Sequence, residues 1–416
     1  MSNPSDGAGG SAGGGAGRAV SDLDAQVAAH MAQVRRLSRA GGPLSVEGST
    51  ATTNVGAWFR GGEPTPLRRR LHRQLLVEAN AGARADQERH AIVMAGPPGA
   101  GKSTVRVPFM AAEGLDPASY TVIDADHFKE GLVHAALADG SYERFIKPSE
   151  IRQLEAAGER FFPLEMSALL QEESGLLARA QQRQLLRAGA NVIIDTVLSN
   201  PDKAVELGGR LEAMGYTVTV LDVEVSAELS QARIEHRWAL AYREALTGVG
   251  SAGGGRWVPS EYARQVFDGP QGPGGPSRSE AAAAGLAQTC PAVLRYQVLR
   301  TPGGREQVLQ GQPQLEVDLA RSGPGGPLQP VARSTRSVAA PTAPGDGRQS
   351  SAPVQSGRTD PPRGPASMSL ADRVTRQAQF REAAQRSAAA PGWTSPAGRG
   401  PNLSPGGKPR GPGGSR

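Results

Sequence analysis

The run Gly96-Pro97-Pro98-Gly99-Ala100-Gly101-Lys102-Ser103-Thr104 has the residue types and spacing that hold a phosphate chain, G-x-x-x-x-G-K-[ST]. Glycines let successive backbone N–H groups point into one concavity without interference from a Cβ. A helix that starts at such a loop adds unpaired amides and the positive end of its dipole. Lys102 is spaced to reach the β- and γ-phosphates of ATP, the Ser103 hydroxyl to ligate Mg²⁺, and Thr104 to donate to the α-phosphate. The alternative is an ordinary Gly-rich turn between a strand and a helix. Context argues against it, because the apolar run His90 to Ala95 enters the loop and a helical pattern follows.

A phosphate loop serves transfer enzymes, switches and motors alike, so the ends of the neighbouring strands discriminate. In an open α/β sheet, ligands lie beyond the carboxyl ends of the strands. A second apolar run, Tyr120 to Ile123, ends in Asp124-Ala125-Asp126-His127-Phe128-Lys129, and a third, Asn191 to Ile194, ends at Asp195. Two carboxylates there suit phosphoryl transfer to a hydroxyl, one accepting its proton and one orienting the acceptor. Asp is also a favoured helix cap. Asp124 is read as a cap, and for Asp126 and Asp195 the functional reading is preferred. Arg233, Arg237 and Arg243 follow a fourth run on one helical stretch, and Arg256 follows the break Gly248 to Gly255. Together they read as a mobile arginine-bearing lid that excludes water and stabilises transferring charge, although helix-surface arginines are usually just solvated.

The elements that must position these groups alternate. Thr217 to Val225 is the fourth strand, and Asp202 to Met214 is a helix closed by Gly215. A long helical stretch from Glu150 to Arg187 is interrupted at Pro163, a further helical piece begins near Pro259, and Val293 to Leu299 reads as a last strand. Apolar runs separated by helices predict a P-loop α/β fold, a mainly parallel sheet flanked by helices. Upstream, Ser21 to Ala40 and Leu67 to Asn80 read as helices. The organisation expected is a flexible arm over 1–18, a helical and loop segment over 19–62, a kinase-type domain over 63–300 and a Pro/Gly/Ser/Arg-rich disordered tail over 301–416. Within that tail only Ser369 to Ala388 has a helical pattern, and a sparse one.

Composition supports a single folded centre between poorly folding ends. Gly (54) and Pro (33) concentrate at the ends and aromatics are only 4%, so those stretches bury too little apolar surface to offset the entropy of ordering. From Thr301 to Arg416 there are 15 Lys+Arg against 7 Asp+Glu, which leaves 31 basic and 33 acidic residues in 1–300. The basic balance belongs to the tail, and the slightly acidic core is not expected to bind nucleic acid. Cys290 is the only cysteine and reads as an inert small residue in a reducing compartment. With no signal pattern and no run of 18 apolar residues, the expectation is a soluble cytoplasmic protein with no membrane contact.

The same motifs, in order from Glu88 to Tyr262, resemble the zeta toxin family of P-loop kinases. Besides the phosphate loop, Ile123-Asp124-Ala125-Asp126-His127-Phe128-Lys129 resembles the family's I-D-x-D-x-F-[KR], and Asn191 to Asp195 resembles N-[LV]-I-I-E. Gly215-Tyr216, Glu228-Leu229-Ser230, Arg237-Trp238 and Gly255-Arg256 before Val258-Pro259 also match. The resemblance implies that Asp126 is the general base, that Arg237 and Arg256 contact the γ-phosphate, and that Asp195, Phe128 and Lys129 stand on the substrate side. It implies UDP-N-acetylglucosamine as the acceptor and a small antitoxin as a partner. Phe162 to Met166 and Gln171 to Gly175 resemble a branch of zeta-like kinases with an E-E-S element, which sets Glu173 near the acceptor; a solvated helix acid is the equal alternative. The strand end departs from the family. It reads Asp195-Thr196-Val197-Leu198-Ser199 where the family has E-G-T-L-R, so two expected polar contacts to the sugar nucleotide are replaced. A kinase of another nucleotide-type acceptor, or a catalytically weak nucleotide-binding interaction module, are the competing expectations.

Overall fold

The computed structural model describes residues 13–81, 87–272 and 275–331, with side chains from residue 22 onward. In chain order the elements are α1 (Gly13–Leu37), β1 (Phe59–Arg60), β2 (Glu63–Pro64), α2 (Pro66–Asn80), β3 (His90–Ala95), α3 (Lys102–Ala112), β4 (Thr121–Ile123) and α4 (Ala125–Ala138). There follow α5 (Ser149–Ala156), α6 (Gln171–Ala188), β5 (Val192–Asp195), α7 (Pro201–Ala213), β6 (Thr217–Val225), α8 (Ala227–Thr247) and α9 (Ser260–Gln265). α10 (Arg278–Thr289), β7 (Val293–Thr301), β8 (Gln314–Ala320) and β9 (Gln329–Pro330) complete the described part.

One seven-stranded sheet runs in the order β4-β5-β3-β6-β7-β8-β9. Its first five strands are mutually parallel, and β8 and β9 return antiparallel at the edge. β3 is central, with Met94 level with Asp195 of β5 and Ala95 level with Asp222 of β6. That register brings the phosphate loop and the end of β5 to the same rim. Successive residues of β3 serve opposite faces, as the strand repeat of two requires. Ile92 and Met94 pack with Val105, Phe109 and Met110 of α3. Ala91, Val93 and Ala95 pack on the other face with residues of α7 and α10. Each fully buried large aliphatic side chain contributes about 1.5–3 kcal/mol. A separate apolar cluster away from the sheet joins α1, α2, α4, α6 and α8 through Trp58, Phe128, Leu132, Trp238 and Trp257.

Several elements differ from the sequence reading. α1 begins at Gly13, inside the expected arm. The Glu150 to Arg187 stretch divides into α5, a 3₁₀ segment Pro163–Leu170 and α6. Pro163 cannot continue a helix from the residue before it, and the Phe162 amide donates to Glu165 at 2.7 Å instead. α10, capped by Ser277, was not anticipated, although Ser before an alanine-rich run is a start signal. Folded structure also continues past 300 through β9. In β8, Leu315, Val317 and Leu319 alternate with Gln314, Glu316 and Asp318, a strand pattern obscured by Gly and Pro on both sides. Arg295 pairs with Asp318 at 3.0 Å and Arg300 with Glu316 at 2.6 Å across the β7–β8 pair. The Ser369 to Ala388 pattern lies outside the described residues, as does everything from 332 onward. No helix among the described residues is long and apolar enough to cross a membrane.

Candidate phosphoryl-transfer site

The phosphate loop closes the carboxyl end of β3, and its glycines are required by geometry. Gly96, Gly99 and Gly101 have φ of 135°, 76° and 95°, values that L side chains rarely adopt. A Cβ on Gly96 would meet the Val223 carbonyl oxygen at 2.1 Å, and one on Gly99 would meet that of Ser230 at 2.7 Å. Gly101 is the N-cap of α3 and supplies no side chain, so Lys102 and Ser103 open the helix directly. The Lys102 Nζ donates to the Gly96 carbonyl at 3.0 Å and lies 3.7 Å from Asp195 Oδ1. The Ser103 and Thr104 side chains are exposed on the first turn.

α8 braces the loop from behind. Ser230 Oγ donates to the Pro98 carbonyl at 2.7 Å. Arg233 donates to the Ala100 carbonyl at 3.2 Å and to the Gly311 carbonyl at 2.8 Å. The arginines of α8 therefore have three different settings. Arg233 supports the loop, Arg243 pairs with Asp24 of α1, and Arg237 faces the acids.

Asp124 caps α4, accepting from the Asp126 amide at 2.8 Å, which fixes the first turn that carries Asp126. Asp126 is bracketed by cations, with Lys129 Nζ 3.0 Å from Oδ1 and Arg256 Nη2 3.0 Å from Oδ2. Burial alone would raise its pKa, but Lys129, Arg256 and Arg237 outweigh burial and hold it below the usual carboxylate value. Asp195 goes the other way. Burial and the neighbouring charges of Asp124 and Asp126 push it up, against the opposing pull of Lys102 and Arg106. Desolvation and the adjacent Arg256 lower the pKa of Arg237, while Asp126 raises it. Lys102, Asp124, Asp126, Asp195, Arg237 and Arg256 thus share one electrostatic environment at one rim of the sheet.

Two expected substrate-side residues stand elsewhere. Phe128 is 1% exposed and belongs to the apolar cluster with Leu132 and Trp238, because two residues along α4 from Asp126 is the inward side of the helix. Glu173 is fully buried and holds Arg68 at 2.5 and 2.7 Å and His72 at 2.6 Å. Despite burial, His72 and Arg68 hold its pKa down at about 2, so it is a structural anion that ties α2 to α6 and not a solvated acid. Lys129 is buried against Asp126.

The Gly-rich break is packed, whereas the sequence suggested a mobile lid. The Leu164 amide donates to the Gly253 carbonyl at 2.9 Å, and a Cβ on Gly254 or Gly255 would meet Phe162 Cβ at 2.3 Å or the Trp238 carbonyl at 2.6 Å. These glycines permit close approach. Sequence reading also missed Arg106, Glu130 and Tyr262. Arg106 lies four residues after Lys102, one turn further on the same face of α3. Glu130 is 3.7 Å from Arg256, and the Tyr262 hydroxyl is raised by burial and by Asp126.

The sheet order, the glycine loop and the acids at adjacent strand ends define a P-loop nucleotide-binding fold of the kinase type. Residues 146–271 match the Zeta toxin family model, so this stretch of the chain is similar to that family. The match takes in Glu173, Asp195, Arg237 and Arg256, whereas the phosphate loop and Asp126 precede it. No curated protein matches. Among solved structures, the PezAT toxin–antitoxin system of Streptococcus pneumoniae is 15% identical, covering 62% of this chain and 83% of that one with a TM-score of 0.39. The complex of AvrRxo1-ORF1 and ORF2 with ATP is 16% identical, covering 65% and 71% with a TM-score of 0.38. Likenesses this distant bear on neither substrate nor partner.

Proposed function

We propose that the chain is an ATP-dependent phosphotransferase that moves the γ-phosphoryl group to a hydroxyl of a small molecule. The observation that carries this reading is the convergence of Lys102, Asp195 and the Asp126–Arg256 pair at the ends of β3, β5 and β4. In the step envisaged, the acceptor oxygen forms a bond to the γ-phosphorus as the bond to the ADP oxygen breaks with its electron pair. The acceptor proton passes to Asp126, whose low pKa keeps it ionised near neutrality. Lys102 and the loop amides hold the β- and γ-phosphates, and Arg237 and Arg256 offset charge on the transferring group.

The residues present fit Mg²⁺ in a particular way. Among the described residues no group of three or more His, Cys, Asp or Glu side chains could hold a metal ion. The exposed Ser103 hydroxyl beside Lys102 suits an ion that arrives on the triphosphate and keeps several waters. Bound there, Mg²⁺ would neutralise charge on the β- and γ-phosphates.

The family resemblance makes UDP-N-acetylglucosamine the first acceptor to test, and a small antitoxin-like protein the partner to seek by its suppression of turnover. A different nucleotide-type acceptor is favoured by the end of β5. There Leu198 is buried with φ of 50°, and its amide donates to Thr196 Oγ1 at 3.1 Å. This local turn occupies the stretch where the family's polar contacts would stand. The test is incubation with ATP and Mg²⁺ against a panel of nucleotide sugars and nucleotides, with phosphorylated product read by mass. A product from one acceptor supports the reading and names the substrate. ATP binding without any product would instead support the interaction-module alternative.

A further inference from the structure

α1 lies outside the family match and makes no described contact with the phosphate loop, yet its contacts end beside both site arginines. His30, 1% exposed, stands between two carboxylates, with Nδ1 3.2 Å from Glu159 and Nε2 3.0 Å from Glu165. Glu165 is fully buried and also accepts from Trp238 Nε1 at 3.2 Å. Trp238 is the residue after Arg237. The His30 ring stacks on Tyr242 at 4.4 Å and on Trp238 at 5.9 Å. One residue beyond α1, Ser38 accepts from Trp257 Nε1 at 2.8 Å, and Trp257 is the residue after Arg256. The two indoles meet edge to face, with centroids 5.5 Å apart.

The arrangement has a mechanical consequence. Arg256 pairs with Asp126 at 3.0 Å and Arg237, though exposed by area, also faces that carboxylate, so where both guanidinium groups stand depends on where their backbones are held. Their backbones are fixed by the buried tryptophans next to them, and both indole N–H groups end on a network that α1 and Ser38 complete. A buried carboxylate such as Glu165 needs its donors, so loss of His30 must rearrange the acceptor of Trp238. Misplacement of a reacting or stabilising group by about 1 Å costs on the order of 100-fold in rate.

We propose that His30 and Ser38 are positioning residues for Arg237 and Arg256, so that recognition of a γ-phosphate by this chain depends on its N-terminal helix. The inference rests on the phosphotransferase reading. Both arginines would touch the γ-phosphate, which Lys102 also reaches, so the loss of ATP-over-ADP preference in each variant is read against that of Arg256→Ala with Lys102 intact.

Calorimetric titration of the full chain with ATP and with ADP, both with Mg²⁺, tests it. Wild type is expected to prefer ATP, and Arg256→Ala to lose on the order of tenfold of that preference, as expected for charge-assisted contacts. His30→Gln is expected to lose a similar share of the preference while ADP affinity stays within about twofold and a cooperative thermal transition remains. Ser38→Ala, a milder change, is expected to lose part of it. If both variants keep the full preference while Arg256→Ala loses it, the inference is wrong and the phosphotransferase reading stands. A wild-type chain that binds neither nucleotide, or an Arg256→Ala variant with undiminished preference, overturns the arginine assignment and this inference together.

Discussion

Asp126 and Asp195 lie at neighbouring strand ends, yet their surroundings push them in opposite directions. Burial is the largest influence on each; Lys129, Arg256 and Arg237 reverse it at Asp126, while Asp124 and Asp126 add to it at Asp195. Titratable neighbours driven apart in this way are what acid–base assignments are built on. Asp126 is the member held below the usual carboxylate value and Asp195 the member pushed above it; in the proposed reaction Asp126 takes up the acceptor proton. Asp195 sits 3.7 Å from Lys102, which in the proposed reaction would couple the phosphate-holding lysine to the acceptor side. Replacing Lys102 with Ala removes the cation proposed to hold the β- and γ-phosphates, and with it the charge that opposes burial at Asp195. The expected outcome is a loss of ATP affinity of at least about tenfold, a charge-assisted contact being worth roughly 1.5–3 kcal/mol; equilibrium titration with ATP checks it. Unchanged affinity would mean that the lysine does not reach the phosphates.

The phosphate loop depends on elements far from it in sequence. Gly96 passes under β6 so closely that a Cβ would strike the Val223 carbonyl at 2.1 Å. Gly96→Ala should therefore displace the loop and abolish nucleotide binding while the fold survives, which circular dichroism and nucleotide titration together would establish. The N-terminal helices are tied down by buried ions. Arg68→Ala strands the Glu173 carboxylate, fully buried against Arg68 and His72. Removing one partner of a buried pair costs about 3–5 kcal/mol, so a clear fall in the denaturation midpoint is expected.

The strands flanking the site were legible in the sequence because runs such as HAIVMA and NVII are buried on both faces and sit beside glycine or aspartate punctuation. That the phosphate loop, Asp126, Asp195, Arg237 and Arg256 would lie together at one rim of the sheet was legible because motif spacing survives without knowledge of packing. Phe128 and Glu173 were misplaced because motif position does not say which side of a helix faces inward. β8 was missed because Gly- and Pro-rich flanks masked a seven-residue alternation. The packing role of Gly253 to Gly255 was invisible because glycine marks mobility and close approach with the same letter.

Across the molecule, ionisable groups unrelated to the phosphate loop set a pH response. Asp222 and Glu224 point the same way from β6 and are buried, and burial together with mutual repulsion pushes Glu224 upward, with burial dominant for Asp222. His30 is also raised, its carboxylate partners Glu165 and Glu159 overcoming the effect of burial. All three hold protons more tightly folded than unfolded, so the folded chain binds more protons than the unfolded one and stability falls as pH rises. For the carboxyl pair the contribution is complete below the ordinary carboxylate range and is lost on the way to about pH 9, where Glu224 titrates. Melting temperature should decline from about pH 6 to pH 9, and Glu224→Gln should flatten that decline. A melting temperature that climbs over this interval would count against the buried pair. If γ-phosphoryl transfer is assisted by Asp126 as proposed, the turnover ratio of wild type to Asp126→Asn at saturating ATP measures that assistance most directly. The expected result is a drop of roughly 10²–10⁴-fold, with ATP affinity retained. An Asp126→Asn protein that turns over at the wild-type rate would contradict it.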